Sequence, residues 1–390
     1  MSSTVIIFML FLIFSGAAVL STLALMTRQS LLVAYMVLGI VFGPWCLNVV
    51  KDDNLIAAIG DIGILFLLFL LGLQLHPQDL WAMFKKASWI AFSSSIVFAG
   101  LGYVTMLCFH YPPMAATIVA LAMMFSSTII SLKLLPTTVL HHQHTGELMI
   151  SILLMQDILA ILALLVLQGL SHPASSTWLD CGIIAISFPV LVGIAYLFQR
   201  YVLMKLLQRF DTVQEYIFLL AIGWCLAMAE LAQVMHLSPQ IGAFIAGVSI
   251  AAHPISLYIA ESLKPLRDFF LVLFFFSIGA EFNMHFLGAV ILPACILAAI
   301  ALLAKPYIFS WLFRLAKEPK PIAFEVGVRM GQISEFSLLV AYVAASSMLI
   351  SQEVSCLIQA ATIITFIISC YWVVMKYPTP LALTAKLRKD

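Results

Sequence analysis

The chain has 390 residues, of which 63% are hydrophobic and only 9% charged, with 19 basic against 18 acidic side chains and a formal net charge of +1. A soluble globule carries about a quarter charged residues, so this composition excludes one and places the chain in a bilayer, with membrane lipid as its surroundings. A net charge so close to zero gives no reason to expect a nucleic acid or another polyanion as partner.

Hydrophobic runs long enough to cross roughly 30 Å of hydrocarbon as helices fall at 4–26, 30–50, 54–75, 87–109, 114–135, 147–171, 178–200, 215–235, 237–252, 267–283, 286–314, 322–349 and 354–375, thirteen in all. The first has no basic segment ahead of it, the first positive charge being Arg28, so it reads as a span with its N-terminus outside rather than as a signal peptide. Threaded from there, sixteen of the nineteen basic residues fall in or beside cytoplasmic loops, Lys51 alone falls outside, and only Lys305 and Arg329 stay within spans. That asymmetry is the positive-inside pattern. It puts the C-terminus in the cytoplasm and predicts an integral plasma membrane protein, of the bacterial inner membrane type. The seven cysteines, Cys46, Cys108, Cys181, Cys225, Cys295, Cys356 and Cys370, are scattered through apolar sequence and read as small core residues, with no structural metal site expected.

Sliding the chain along itself by 207 or 208 residues lays Gly39 on Gly247, Asp61 on Asp268, Gly72 on Gly279 and Ser127 on Ser334. The offset is half the protein. It predicts an all-α polytopic membrane protein of about 13 transmembrane helices: a first six-helix repeat over 1–175, a linker helix over 176–210, a second six-helix repeat over 211–376 and a cytoplasmic tail over 377–390. An odd linker helix turns the second repeat upside down, the inverted design of many secondary transporters, whose site lies where the halves meet. The same offset lays Phe125-Ser126-Ser127-Thr128 on Gln332-Ile333-Ser334-Glu335, two polar patches in the middle of apolar spans. Ser, Thr and Glu are costly in hydrocarbon unless partnered, so we expect two discontinuous helices that cross near the midplane. Hydroxyls bonded back to the carbonyl four residues earlier would also accommodate such a patch.

Asp157 follows Gln156 and lies ten residues after Glu147, about 15 Å into the sixth span. A carboxylate there costs roughly 2.5 to 3.5 kcal/mol on insertion scales, and removal from water penalises its charged form. Such a group can hold a proton or a metal cation, and competition between the two is antiport; the alternative is a protonated carboxyl in a helix contact. Lys305 lies roughly 14 Å deep and is followed by Pro306. It is expected to pair with an intramembrane carboxylate, or else to snorkel. Glu335 is the second acidic candidate, for ion pairing or for ligand duty. Arg329 is only about one and a half turns inside its span, which points to snorkelling or a cytoplasmic funnel. Asp61 and Asp268, read as near the starts of their helices, suit the helix dipole and are structural or gating candidates. Glu230 is deep and without an evident role, and His141, His142 and His144 read as a solvated loop or a pH sensor.

Enzyme signatures are lacking: His144-Thr-Gly-Glu147 is not HExxH, and neither GxSxG nor a P-loop occurs. No bound cofactor is expected. A gated cation channel is a stronger rival, although the repeated carbonyl or carboxylate rings of a channel do not appear. A Na+-coupled carrier of an organic solute is a third reading, disfavoured by the scarcity of deep basic residues.

Taken together, Gly39-Ile-Val-Phe-Gly-Pro44, Phe69-Leu-Leu-Gly-Leu-Gln-Leu-His-Pro77, Ser126-Ser-Thr128, Gln156-Asp157, Leu237-Ser-Pro-Gln-Ile-Gly-Ala-Phe-Ile-Ala-Gly247, Phe275-Phe-Ser-Ile-Gly279 and Gly331-Gln-Ile-Ser-Glu-Phe336 resemble the membrane domain of the Kef-type monovalent cation:proton antiporters. The resemblance runs nearly end to end. It implies the Na+/H+ antiporter-like fold, a homodimer, and a mobile core of spans four to six and eleven to thirteen that slides against a dimerising panel. By carry-over, Asp157 binds cation and proton competitively. Gln156, Ser126, Ser127, Thr128, Gln332 and Ser334 help to coordinate, Lys305 and Glu335 are charge partners, and Asp61, Asp268 and Arg329 are possible gating residues. Gln74 stands where the family usually has Glu, and Ser334 where it usually has Gly. Relatives often continue into a cytoplasmic nucleotide-binding domain; none follows Asp390 in this sequence, so a separate regulatory subunit or a missing regulatory domain is the matching expectation. With one acid in Gln156-Asp157, the expected activity is electroneutral exchange of K+, or Na+, for H+.

Overall fold

A computed structural model describes residues 3–50, 53–74, 77–135, 144–170, 177–210, 213–235, 237–251, 253 and 255–379. His141 and His142 lie outside the described residues. Among those described, the secondary structure is helical and includes no strand. Among the described residues, seven helical stretches, 20 to 32 residues long, are apolar enough to cross a bilayer, and five further apolar helical stretches are shorter. The chain is an integral membrane protein.

Two compact units share the chain. The first is built from Met1–Asp53, Met83–Leu167 and Ile278–Asp390. Its helices are α1 (Ser3–Met26), α2 (Leu31–Phe42), α4 (Pro77–Cys108, from Met83), α5 (Pro113–Met123), α6 (Thr128–Lys133) and α7 (His144–Leu170, to Leu167), followed by four more. These are α14 (Leu287–Leu315), α15 (Lys320–Arg329), α16 (Glu335–Ser346) and α17 (Gln352–Lys376). The second unit, Asn54–Ala82 and Gln168–Ser277, holds α3 (Asp53–Gln74), α8 (Thr177–Phe198), α9 (Met204–Arg209), α10 (Gln214–Val234), α11 (Pro239–Ala251), α12 (Ile255–Ser262) and most of α13 (Lys264–Ala280).

Two expected spans are interrupted. The run at 114–135 divides into α5 and α6, and the run at 322–349 into α15 and α16. Serine chemistry shapes both restarts. Ser127, in extended conformation, caps α6 by accepting a hydrogen bond from the Ile130 amide, and Ser334 caps α16 by accepting one from the Phe336 amide. These are the positions the 207-residue offset pairs. Ser334 has φ −90°, which any residue adopts, so the serine that replaces the family's glycine restarts the helix with a better cap and no strain. The linker expected at 178–200 runs on through a π-helical turn at Gln199–Leu203 into α9.

Packing within the first unit centres on α14, which lies against both α15 and α17, while α16 packs on α17 and α5. An apolar core beneath them gathers Phe98 of α4, Met149, Ile152 and Leu153 of α7, Phe309 and Phe313 of α14, and Val326 of α15. Tyr111, ahead of α5, donates a hydrogen bond to Glu353 Oε1 in the first turn of α17 at 3.0 Å. In the second unit α10 packs on α11, with Phe198 stacked on Trp224 at 4.8 Å and the Trp224 indole donating to the Ala246 carbonyl at 3.3 Å.

Glycines set the closest approaches. A Cβ on Gly247 of α11 would stand 2.1 Å from the Phe69 carbonyl oxygen of α3, and one on Gly72 of α3 would stand 2.5 Å from the Phe244 oxygen. In the first unit a Cβ on Gly279 of α13 would stand 2.1 Å from the Met36 oxygen of α2. The offset converts α2 into α11 and α3 into α13. It therefore turns the first contact into the second, and the molecule contains both.

Candidate ion-binding site

The two interruptions meet inside the first unit. The Gln332 side-chain amide donates to the Ser127 carbonyl at 3.3 Å, the Ile129 amide donates to Glu335 Oε1 at 3.1 Å, and the Ser337 hydroxyl donates to the Ala122 carbonyl. Each helix break thus supplies donors and acceptors to the other. This is how irregular backbone is tolerated at membrane depth.

Asp157 stands at the centre of α7 beside this junction and is 1% exposed. Its two carboxylate oxygens accept from the Thr128 hydroxyl at 3.1 and 3.2 Å. One residue earlier on the same helix, Gln156 accepts from the Ser126 amide at 3.1 Å and offers its own amide to the Met124 carbonyl at 3.5 Å. Gln156 therefore holds the first break in shape, and Asp157 faces the hydroxyl that opens α6.

Lys305 departs from expectation. Instead of a carboxylate, its ammonium reaches the Phe125 carbonyl at 2.6 Å, the Gln332 carbonyl at 3.2 Å and the Ser126 hydroxyl at 3.5 Å, with the Phe98 ring 5.1 Å away. It has no ion pair within 4.0 Å among the described residues. The physical reason lies in the breaks: the carbonyls past the ends of α5 and α15 have lost their intrahelical donors and sit at the negative ends of two helix dipoles. One cation satisfies both. At 1% exposure, Lys305 does not snorkel.

Arg329 also corrects the sequence reading, because it is 1% exposed rather than turned to the interface. Its guanidinium pairs with Glu325 one turn earlier at 2.8 Å and donates to the Leu134 carbonyl at 3.1 Å and the Pro378 carbonyl at 3.0 Å. The Arg329 carbonyl in turn accepts from Ser131 at 3.1 Å. Arg329 clamps α6 to α15 and to the segment after α17. Gln332, expected as an ion ligand, is occupied: its amide nitrogen donates to Ser127 and to the Ser131 hydroxyl at 2.8 Å, and its oxygen accepts from Ser369 at 2.9 Å. We assign it to positioning.

The junction thus brings together Ser126, Ser127, Thr128, Gln156, Asp157, Lys305, Gln332, Ser334 and Glu335, with Arg329 bracing it. Asp61 and Asp268 belong to the second unit. Asp61 lies two turns inside α3, too far from the N-terminus for the dipole to act. Asp268 is exposed and bonded to Arg267 at 3.0 Å. Glu230 is exposed and about one turn from the end of α10, shallower than its sequence setting indicated. Sequence reasoning missed Ser131, Ser337, Thr365 and Ser369. Ser131 and Ser337 stand one turn from polar residues already singled out, and Thr365, whose hydroxyl accepts from the Ile333 amide at 3.1 Å, stands one turn from Ser369. That helical spacing was the available signal.

A sequence profile described as "Sodium/hydrogen exchanger, transmembrane" matches residues 9–376. The chain belongs to this family. A relative from Paramagnetospirillum magneticum named iron transporter MagA is 28% identical over 354 residues, covering 89% of this chain and 81% of its own length. Among solved structures, the sodium proton antiporter MjNhaP1 from Methanocaldococcus jannaschii at pH 8 superposes with a TM-score of 0.71 at 15% identity, covering 100% of this chain and 99% of the other. An electron microscopy structure of the same antiporter gives a TM-score of 0.67 at 14% identity, over 95% and 96%. The exchanger therefore shares the antiporter fold. Membership of this family makes it a transporter.

Proposed function

We propose that this exchanger moves one monovalent cation against one proton, electroneutrally, with Asp157 as the site both compete for. The observation that carries the reading is a carboxylate 1% exposed at the middle of α7, bonded among the described residues only to Thr128, where two helix breaks meet. Antiport follows from exclusion: a carboxylate that must be neutralised before crossing hydrocarbon can carry the cation or the proton, and not both. K+ is the first ion to test and Na+ the second. The oxygens gathered here, from hydroxyls, carbonyls and carboxylates, suit such hard cations. The relative named an iron transporter raises iron as cargo, but among the described residues that oxygen set lacks the imidazole that suits iron.

The finer architecture belongs to the same reading. Thirteen spans in two inverted repeats, 1–175 and 211–376, with a linker over 176–210, are supported by the exchanged glycine contacts and the paired serine caps. Alternating access by an elevator-like movement, a homodimer in a plasma membrane and a cytoplasmic C-terminus complete it.

Competition fixes the sign of the pH dependence. Below the pH at which the site protonates, each unit of acidification should raise the half-saturating cation concentration about tenfold; above it, affinity should level off. Cation-dependent proton flux measured from pH 6 to 9 tests this, and a half-saturating concentration that stays constant across the range would rule out a shared site.

A further inference from the structure

Glu335 has two oxygens with different circumstances. It is the first residue of α16, 8% exposed, and its Oε1 accepts the Ile129 amide at 3.1 Å, so it helps to cap α6 from the opposite repeat. Its Oε2 is buried and has no hydrogen-bond partner. As a carboxylate oxygen, Oε2 lacks a donor among the described residues. A buried polar atom left so costs about 1–3 kcal/mol or more, and such an atom calls for a ligand.

The neighbours indicate which ligand. Thr128, which binds Asp157, and Ile129, which binds Glu335, are consecutive residues, so one turn of α6 holds both carboxylates. The cation nearest the junction, Lys305, directs its nitrogen at three acceptors, the full donor set of an ammonium. The remaining charged groups packed there, Arg329 and Glu325, neutralise each other at 2.8 Å.

We propose that Glu335 is a second cation-binding carboxylate, its Oε2 coordinating the transported ion opposite Asp157, and that Asp157, Glu335 and Lys305 together present one negative charge for one monovalent cation to neutralise. This rests on the reading of Asp157 as the ion site. The ion then joins α7 of one repeat to α16 of the other, tying its occupancy to the geometry of both breaks. The charge count also accounts for one-for-one exchange in a site with two acids, because the buried lysine cancels the second. A divalent ion would leave the buried set with a net positive charge, which low-dielectric surroundings penalise.

The test is Glu335→Gln in the full chain, purified and reconstituted, with Na+ and K+ as probes. The amide oxygen can still accept from Ile129, so the fold is retained while the charge is lost. The half-saturating cation concentration, read from cation-induced thermal stabilisation and from proton flux, should rise about tenfold or more. Glu335→Asp keeps the charge but withdraws it by one methylene, and should weaken binding as well. Wild-type half-saturation in Glu335→Gln, or in Glu335→Asp should the first variant not fold, overturns the proposal. Asp157→Asn, assayed alongside, separates the failures. If it loses cation binding while Glu335→Gln does not, only the second ligand is wrong; if both bind like wild type, the shared site itself is wrong.

Discussion

Replacing Asp157 by Asn should abolish cation/proton exchange and leave the exchanger folded. Asn has nearly the same shape, and its oxygen can still accept the Thr128 hydroxyl that Asp157 now holds at 3.1 Å, so the junction keeps its form. What disappears is the only group in α7 at this depth able to hold either a proton or a cation. Exchange in proteoliposomes should fall to background, a loss of about a hundredfold or more, since no residual acid on this helix can replace the step. The melting temperature in detergent should equal or exceed that of the wild type, because a buried carboxylate without a compensating ion opposes folding. Robust exchange by this variant would contradict the site.

Lys305→Met should have the largest effect on stability. The methionine fills a similar volume but strips the donor from the Phe125 and Gln332 carbonyls, at 2.6 and 3.2 Å from the present nitrogen. Both belong to backbone that has already left its helix. Two orphaned buried carbonyls cost about 3 kcal/mol or more together, which in a protein of this size lowers the melting temperature by about 4 °C or more. The measurement is thermal unfolding of the purified variant without added cation. A melting temperature equal to that of the wild type would mean that Lys305 does not hold the breaks together. Had it formed the carboxylate pair the sequence indicated, the cost would fall on the acid left behind instead of the backbone.

Much of the site was legible because membranes penalise polarity so strongly. Asp157, Lys305, Glu335 and the two serine patches stood out against apolar runs, and the half-length offset paired Ser127 with Ser334, which proved to be equivalent helix caps. The partners were not legible. Sequence marks a buried lysine as needing a partner but cannot distinguish a carboxylate from a carbonyl freed by a helix break, since that depends on where the backbone stops being helical. Arg329 misled for a related reason: depth along a helix was read as access to the interface, whereas the Leu134 and Pro378 carbonyls enclose it. Asp61 misled because its helix begins at Asp53, two turns earlier than an N-terminal role requires.

The central claim is that cation and proton exchange one for one. It is tested most directly by imposing a pH gradient across proteoliposomes holding the wild-type exchanger, adding K+ and then Na+, with the membrane potential first free and then clamped. One of the ions should collapse the gradient at the same rate in both conditions. A collapse whose rate follows the clamp, or conductive flux far above about 10⁴ ions per second without proton movement, a rate beyond carriers that complete a μs to ms conformational step per cycle, would contradict it.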